Sequence, residues 1–583
     1  MLAALIRFSL TQRLLILVLT VILIAAGIRA FSGLPIDAFP DVSTTQVKII
    51  MKAPGMTPEE VETRLAVPIE QELLGIPRQR LLRSTSKYAL TDITLDFEDG
   101  TDIYWARQQV GERLAGAMGN LPPGVSGGMA PITTPLGEMF MFTIEGDLPL
   151  AEKRALLDWV IRPQLRTLPG VADVNSLGGE VKTFEVLPQP QLLAARGIAL
   201  KDVLAVLESN NRNDGAGRLN DGEEALLVRA EGAIRTLDDV RAIVVQTKNN
   251  RIVRIGDVAE VRFGALTRYG AVTRNGQGEA VEGLVLGLRG ANAQSVVSGV
   301  KARLAQIAPS LPAGVRIEPF YDRSNLVDRA VGTVAKALME AIVLVVILLL
   351  AFLGNLRAAI VVALMLPLSA LATFILMRLS GLSANLMSLG GLAIAIGMLV
   401  DAAVVVVENV ESQLADAQEN LPTLHLIYRA AREVAAPVTS GIVIIIIVFL
   451  PLLTLQGLEG KMFGPVALTI VFALSASLLL SLTVVPVLAS YLIKRGVHHE
   501  PWLVKKLAAI YDKTLIYALA NSRRFILAAL LALLAAAGAF LLLGKSFMPT
   551  MDEGDLIMQL EKIPSIGLER SIDIDSRVQQ AIL

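Results

Sequence analysis

The chain has 583 residues, is 53% hydrophobic and 18% charged, and carries a net charge of -1 at pH 7. That apolar share exceeds what soluble domains use and points to a polytopic membrane protein, while the balanced charge offers nucleic acid no hold. There is no cysteine, which excludes disulfides and thiolate chemistry, and only three histidines (His425, His498, His499), which leaves a histidine-built zinc site almost no material.

In chain order, the first apolar run is LLILVLTVILIAAGI (14–28), preceded by Arg7 and Arg13. Its length, and the lack of a small-x-small cleavage site, favour a membrane span over a cleaved signal peptide. Residues 31–333 follow and are mostly polar. Strand-like QVKIIMKA (46–53) leads through PGMTP into helical EEVETRLAVPIEQELL (59–74), and the rhythm returns at 93–118 and 183–197. Short strands alternating with helices predict compact split-βαβ subdomains. Six more apolar runs come next, at 336–353, 358–377, 386–410, 435–455, 463–492 and 525–543. Lys494, Arg495, Lys505, Lys506, Lys513, Arg523 and Arg524 crowd the linker before the last of them. By the positive-inside rule that linker and the N-terminus are cytoplasmic, and alternation puts residues 31–333 outside.

The segment from Leu515, LIYALANSRRFILAALLALLAAAGAFLLLGKSFMP, repeats the plan of the segment from Leu5, LIRFSLTQRLLILVLTVILIAAGIRAFSGLPIDAFP. Both then run into a strand-like stretch, a proline turn and an acid-rich helix, VKIIMKAPGMTPEEVE in one and IMQLEKIPSIGLERSI in the other. This repeat predicts a protein built from two parallel halves, of which the chain is the first and the start of the second.

Asp401 interrupts SLGGLAIAIGMLVDAAVVVVENVE (388–411) about 22 Å along a helix counted from Leu386. A charge inside the hydrocarbon costs a few kcal/mol or more, so such an acid is a functional candidate by default. Glu408, seven residues on, shares its face. Gly390, Gly391, Ala393, Ala395 and Gly397 are small enough to let another helix approach. On spacing alone two readings stand: a proton carrier whose pKa is raised by burial, or a paired acid that locks two helices. Glu340, four residues after Lys336, reads as a surface pair.

Several stretches together resemble the resistance-nodulation-division (RND) efflux permeases, in their heavy-metal branch. They are LPIDAFPDVSTTQV (34–47), FEDGTDIYWARQQV (97–110), YDRSNLVDRAV (321–331), SANLMSLGGLAIAIGMLVDAAVVVVENV (383–410), LEGKMFGPVA (458–467) and FMPTMDEGDL (547–556). Ala402, where the drug-exporting branch has a second aspartate, favours the metal branch. The resemblance implies a polytopic α-helical membrane protein with a large α+β periplasmic porter domain. It implies a non-enzymatic, proton-coupled exporter without cofactor, in the inner membrane of a Gram-negative bacterium. It also implies a homotrimer that works with a membrane-fusion adaptor protein and an outer-membrane channel.

The domains expected are a first span (1–30), a periplasmic porter and docking domain (31–333), spans two to six (334–493), a cytoplasmic linker (494–524), a seventh span (525–545) and the start of a second periplasmic domain (546–583). Asp401 would carry the proton, with Glu408 beside it and a lysine of the second half as partner. The cargo would be a metal cation; drugs or other organic compounds, or a non-transporting fragment, are the alternatives. Ala395 replaces an aspartate usual in the cobalt/zinc/cadmium group, whereas Val406, Leu474 and Ala489 replace methionines usual in the copper/silver group. Met387 matches that group, and Met548, Met551 and Met558, near Asp552, Glu553 and Asp555, form a possible thioether cluster for a soft metal ion. Met365 and Met377 read as packing, and Met139 and Met141 as alternate faces of one strand.

Overall fold

Twenty or more apolar residues in a row satisfy their own backbone only as helix, and the long runs do so here. The computed structural model describes residues 2–37, 40–134, 136–248, 251–415, 421–494, 502–544, 556–563 and 565–583. Among them six helices are long and apolar enough to cross a membrane: Arg13–Ser32, Leu356–Leu379, Leu386–Ala415, Thr423–Thr454, Gly457–Leu492 and Ser522–Leu542. The run expected at 336–353 forms the end of a 31-residue helix, Arg323–Leu353, whose apolar part is Met339–Phe352. Several helices reach beyond the apolar runs. Thr423–Phe449 begins twelve residues before the expected 435, because Leu426, Ile427, Ala430 and Ala431 bury one stripe of an otherwise charged segment. The segment expected as a linker contains a helix, Trp502–Ala520, and the first span is likewise preceded by Leu2–Thr11.

The chain divides into two compact units: 1–137 with 287–297 and 322–558, and 138–286 with 298–321 and 559–583. The first holds the membrane helices and a four-stranded sheet of β1 (Gln46–Lys52), β2 (Gln79–Lys87), β3 (Leu90–Phe97) and β4 (Ser126–Met129), in the order β2-β3-β1-β4. Every pairing is antiparallel, with Val47 opposite Leu95 and Ile49 opposite Ile93. Alternation puts Val47, Ile49 and Met51 on the covered face, where Val61, Leu65, Ile69 and Leu73 meet them from one helical segment and Ala106, Val110 and Leu114 from another. Thr57 starts the first segment with a reciprocal cap to Glu60, and Asp102 starts the second by accepting the Trp105 N–H at 2.8 Å. Gly127 has φ +142°, and an added Cβ would lie 2.2 Å from the Ile50 carbonyl oxygen, so only glycine lets β4 reach β1.

The first segment is not a plain α-helix. Glu62–Ala66 form a π turn in which the Val67 N–H reaches the Glu62 carbonyl, immediately before Pro68. The second unit repeats the irregularity: Leu157–Ile161 form a π turn, and the Arg162 N–H reaches Leu157 immediately before Pro163.

The second unit has a sheet in the order Val272–Thr273, Glu279–Gly287, Glu138–Glu145, Arg316–Asp322, with Val171–Gly178 also pairing to Glu279–Gly287. Met139 is buried and Met141 half-buried, two positions apart on one strand with Phe140 between them. The helix expected near the end is present as Leu568–Ile582, but 556–563 carry no strand pairing among the described residues.

Glu282 of this sheet, opposite Thr143, is buried; burial first, then the Glu138 carboxylate, push its pKa up. Between the ordinary and the raised pKa the folded protein holds a proton that the unfolded chain releases. Stability is fully present below the ordinary glutamate pKa and falls as pH rises through the raised one. Glu282→Gln should therefore raise the melting temperature at pH 7 and leave it unchanged below about pH 4, the unfolded glutamate range. Melting curves of both proteins across that range check it; a shift of equal size at every pH would contradict it.

Candidate functional site

The Asp401 helix, Leu386–Ala415, is fixed at both ends by polar side chains that its apolar centre cannot supply. At its start the Ser388 N–H donates to Asn385 Oδ1 and the Asn385 N–H donates to Ser388 Oγ, each at 2.9 Å and fully buried. Toward its end Asn409 Nδ2 donates to the Ala430 carbonyl at 2.9 Å, and Gln413 Nε2 donates to Glu433 at 3.2 Å.

Its middle packs on the Gly457–Leu492 helix. An added Cβ on Gly391 would lie 2.8 Å from the Val466 carbonyl oxygen, whereas Gly390 and Gly397 have nothing within 4 Å. Of the small residues in this run, Gly391 and the fully buried Ala395 therefore face a close neighbour. Ser477 Oγ donates to the Leu399 carbonyl at 2.9 Å, locking the neighbouring helix to the turn that precedes Asp401. The carbonyl is already held within its helix, so the hydroxyl adds a tie without breaking one.

The buried stripe of this helix runs through Leu399, Ala402, Ala403, Val406, Val407, Val410 and Leu414. Asp401 and Glu408 lie together on the opposite, exposed face. Sequence reasoning expected the Asp401 carboxylate to be enclosed; within this chain its own helices leave it uncovered.

The buried acid is a third one, Glu411, which sequence reasoning passed over. It is 6% exposed, and Asn355 Nδ2 donates to its Oε1 at 2.5 Å. Asn355 Oδ1 also accepts the Arg357 N–H at 3.0 Å, so one side chain caps the Leu356–Leu379 helix and grips the Asp401 helix. The available signal was position: Glu411 falls between Val407, Val410 and Leu414 in the apolar stripe.

Glu340 and Lys336 form the expected exposed pair, at 4.0 Å. Met387 is half-buried in the first turn of the Asp401 helix, and Met558 is exposed in a stretch without regular structure. Met548 and Met551, with Asp552, Glu553 and Asp555, lie outside the described residues. Val406, Leu474 and Ala489 are fully buried in apolar packing. Among the described residues no cluster of three or more histidine, aspartate or glutamate side chains is arranged to hold a metal.

The sequence profile described as the AcrB/AcrD/AcrF family matches residues 5–583. The chain belongs to that family. Among curated proteins it is 39% identical over 595 residues to the cation efflux system protein CzcA of Alcaligenes sp. (strain CT14), covering 99% of this chain and 56% of that protein. It is 36% identical over 592 residues to the cation efflux system protein CusA of Escherichia coli (strain K12), again with 99% and 56% coverage. The crystal structure of a heavy metal efflux pump superposes with a TM-score of 0.86 at 32% identity, covering 99% of this chain and 56% of that one. The RND permease fold and the heavy-metal branch of the family are thereby shown. The chain spans about half the length of the relatives it matches.

Proposed function

We propose that this chain works in a proton-driven inner-membrane permease that exports heavy-metal cations, and that Asp401 is its proton carrier. The observation that carries the reading is an uncovered carboxylate inside a 30-residue apolar helix, in a chain whose relatives are cation efflux proteins. Insertion of an aspartate at mid-membrane costs about 2.5–3.5 kcal/mol, a penalty that a merely structural acid would offset by pairing inside its own bundle, as Glu411 does. A carboxylate turned away from its own bundle suits a site shared between two repeats, where parallel-repeat transporters bind their ions. Each proton entering through such a site releases about 2.3 kcal/mol per 100 mV of membrane potential. Glu408 extends the same face by two turns and gives the proton a second stop.

The polar regions, with their alternating strands and helices, form the periplasmic porter of split-βαβ subdomains in this reading. The permease acts as a trimer with an adaptor protein and an outer-membrane channel. The metal leaves the porter without a thioether relay through the membrane, because Val406, Leu474 and Ala489 fill those positions with packed hydrocarbon. Met558, with Met551 and Met548 nearby in sequence, remains the thioether candidate in the porter.

The test is complementation. A deletion strain carrying the native permease on a plasmid should regain growth on one or more of zinc, cobalt, cadmium, nickel, copper or silver salts, and not on dyes or detergents. The converse pattern would favour an organic substrate.

A further inference from the structure

Four of the stretches that mark the family have no assigned task, yet they meet at one place within the first unit. Segment 34–45 leaves the Arg13–Ser32 helix and runs to β1. At its start Ile36 forms an isolated parallel bridge with Ala384: the Ala384 N–H donates to the Pro35 carbonyl at 2.9 Å and the Asp37 N–H to the Ala384 carbonyl at 3.2 Å. Ala384 directly precedes Asn385, the cap of the Asp401 helix. Beside this bridge Arg323, 5% exposed, holds Asp37 at 3.3 Å from the first turn of the Arg323–Leu353 helix.

Farther along, two cations grip the segment. Arg289 donates to Asp41 at 2.9 Å and to the Ser43 carbonyl at 3.0 Å. Lys461 donates to the same Ser43 carbonyl at 2.9 Å and to Asp99 at 2.7 Å. The segment then joins the sheet: the Phe97 N–H donates to the Thr45 carbonyl at 2.9 Å, and Thr44 Oγ1 donates to Asp96 at 3.0 Å.

Lys461 stands in the first turns of the Gly457–Leu492 helix, whose Ser477 is tied to Leu399 beside Asp401. Both routes out of the Asp401 turn, through its own helix to Ala384 and through the neighbouring helix to Lys461, therefore end on segment 34–45. Its described residues are held by backbone bonds at one end and by ion pairs at the other, so displacement of either helix reaches the sheet through them.

We propose that segment 34–45 is a mechanical coupler between the Asp401 helix and the β1–β4 sheet, with Lys461 and Asp99 as positioning residues. The proposal rests on Asp401 being the site that changes state, and deepens that reading by naming the route its change takes. Arg323 is too buried to remove without loss of folding, so the half-exposed Lys461–Asp99 pair is the one to cut.

The experiment uses the native permease in lipid nanodiscs and compares hydrogen exchange with and without Asp401→Asn, which fixes the uncharged state. The substitution should alter amide protection at 384–400 and also at 90–101. With Lys461→Gln or Asp99→Asn also present, the change at 384–400 should persist while that at 90–101 disappears. Lys461→Gln and Asp99→Asn, each alone, should lower export at least tenfold at unchanged abundance. A change at 90–101 that survives both of these substitutions overturns the proposal, as does a change confined to 384–400 in the Asp401→Asn protein, or no change at all. Failure of the transport reading is separate: it shows as a wild-type protein that exports nothing, and leaves the exchange comparison to decide on the coupler.

Discussion

Asp401→Asn is expected to abolish export while leaving the protein abundant, folded and at least as stable as the wild type. Asparagine keeps the shape of the side chain and removes only the ability to take up and release a proton. It also removes the cost of holding a charge at membrane depth, about 2.5–3.5 kcal/mol when that charge is ionised. Among the described residues Asp401 is exposed and no ion pair to it is lost. A structural acid would behave in the opposite way, with stability falling and export reduced only in proportion. Metal efflux from preloaded cells, together with the melting temperature of the purified protein, separates the two; efflux at wild-type rate would remove Asp401 from the mechanism. Glu408→Gln should lower efflux by a smaller factor, since that residue extends the face and Asp401 stands at its centre.

The second large effect belongs to a residue with no functional group. Gly391→Leu should strip the protein from the membrane fraction and lower its melting temperature, by an amount corresponding to about 3 kcal/mol or more, at the upper end of overpacking costs. The first added carbon would stand 2.8 Å from the Val466 carbonyl oxygen and 3.1 Å from the Val466 Cα. Both are backbone atoms and cannot swing aside, so the two helices must part. Parting them also strains the Ser477–Leu399 tie at the Asp401 turn, and efflux should fall even in the protein that survives. Gly390→Leu supplies the control, because a Cβ there meets nothing within 4 Å and helix propensity favours leucine over glycine. If both substitutions cost the same, close helix approach is not what Gly391 provides.

What could be read from the sequence was whatever depends on local pattern. Apolar runs marked the membrane helices, period-two alternation marked β1 and β3, and a lone acid in hydrocarbon marked Asp401. The misses have a common cause. The helix turns at 423–434 and 502–520 are amphipathic and charged, so a search for unbroken apolar runs starts too late or passes over them. A strand was expected at 557–563 from composition, but a strand needs a partner backbone, which composition does not show. Glu411 looked like one more charge at a helix end until Asn355, 56 positions earlier, was found bonded to it. The exposure of Asp401 likewise follows from which side of the helix the neighbours occupy. Segment 34–45 shows the same limit: LPID, FEDG, YDRS and LEGK were legible as marks of kinship, while their convergence exists only in three dimensions.

The paired π turns carry a consequence for ancestry. A π turn holds one residue more than the α-helical turn it replaces and makes a poorer, rarer hydrogen-bond ring, so it is not a shape that helices fall into by default. Here it occurs twice among the described residues, at Glu62–Ala66 and at Leu157–Ile161, each five residues long and each ending two residues before a proline. The side chains in the two turns, ETRLA and LDWVI, share almost nothing. An irregularity that outlasts the sequence around it is most simply inherited: one βαβ unit acquired the extra residue, was copied, and both copies kept it. The polar region then preserves a duplication of its own, separate from the similarity between LIYALANSRRF and LIRFSLTQRL.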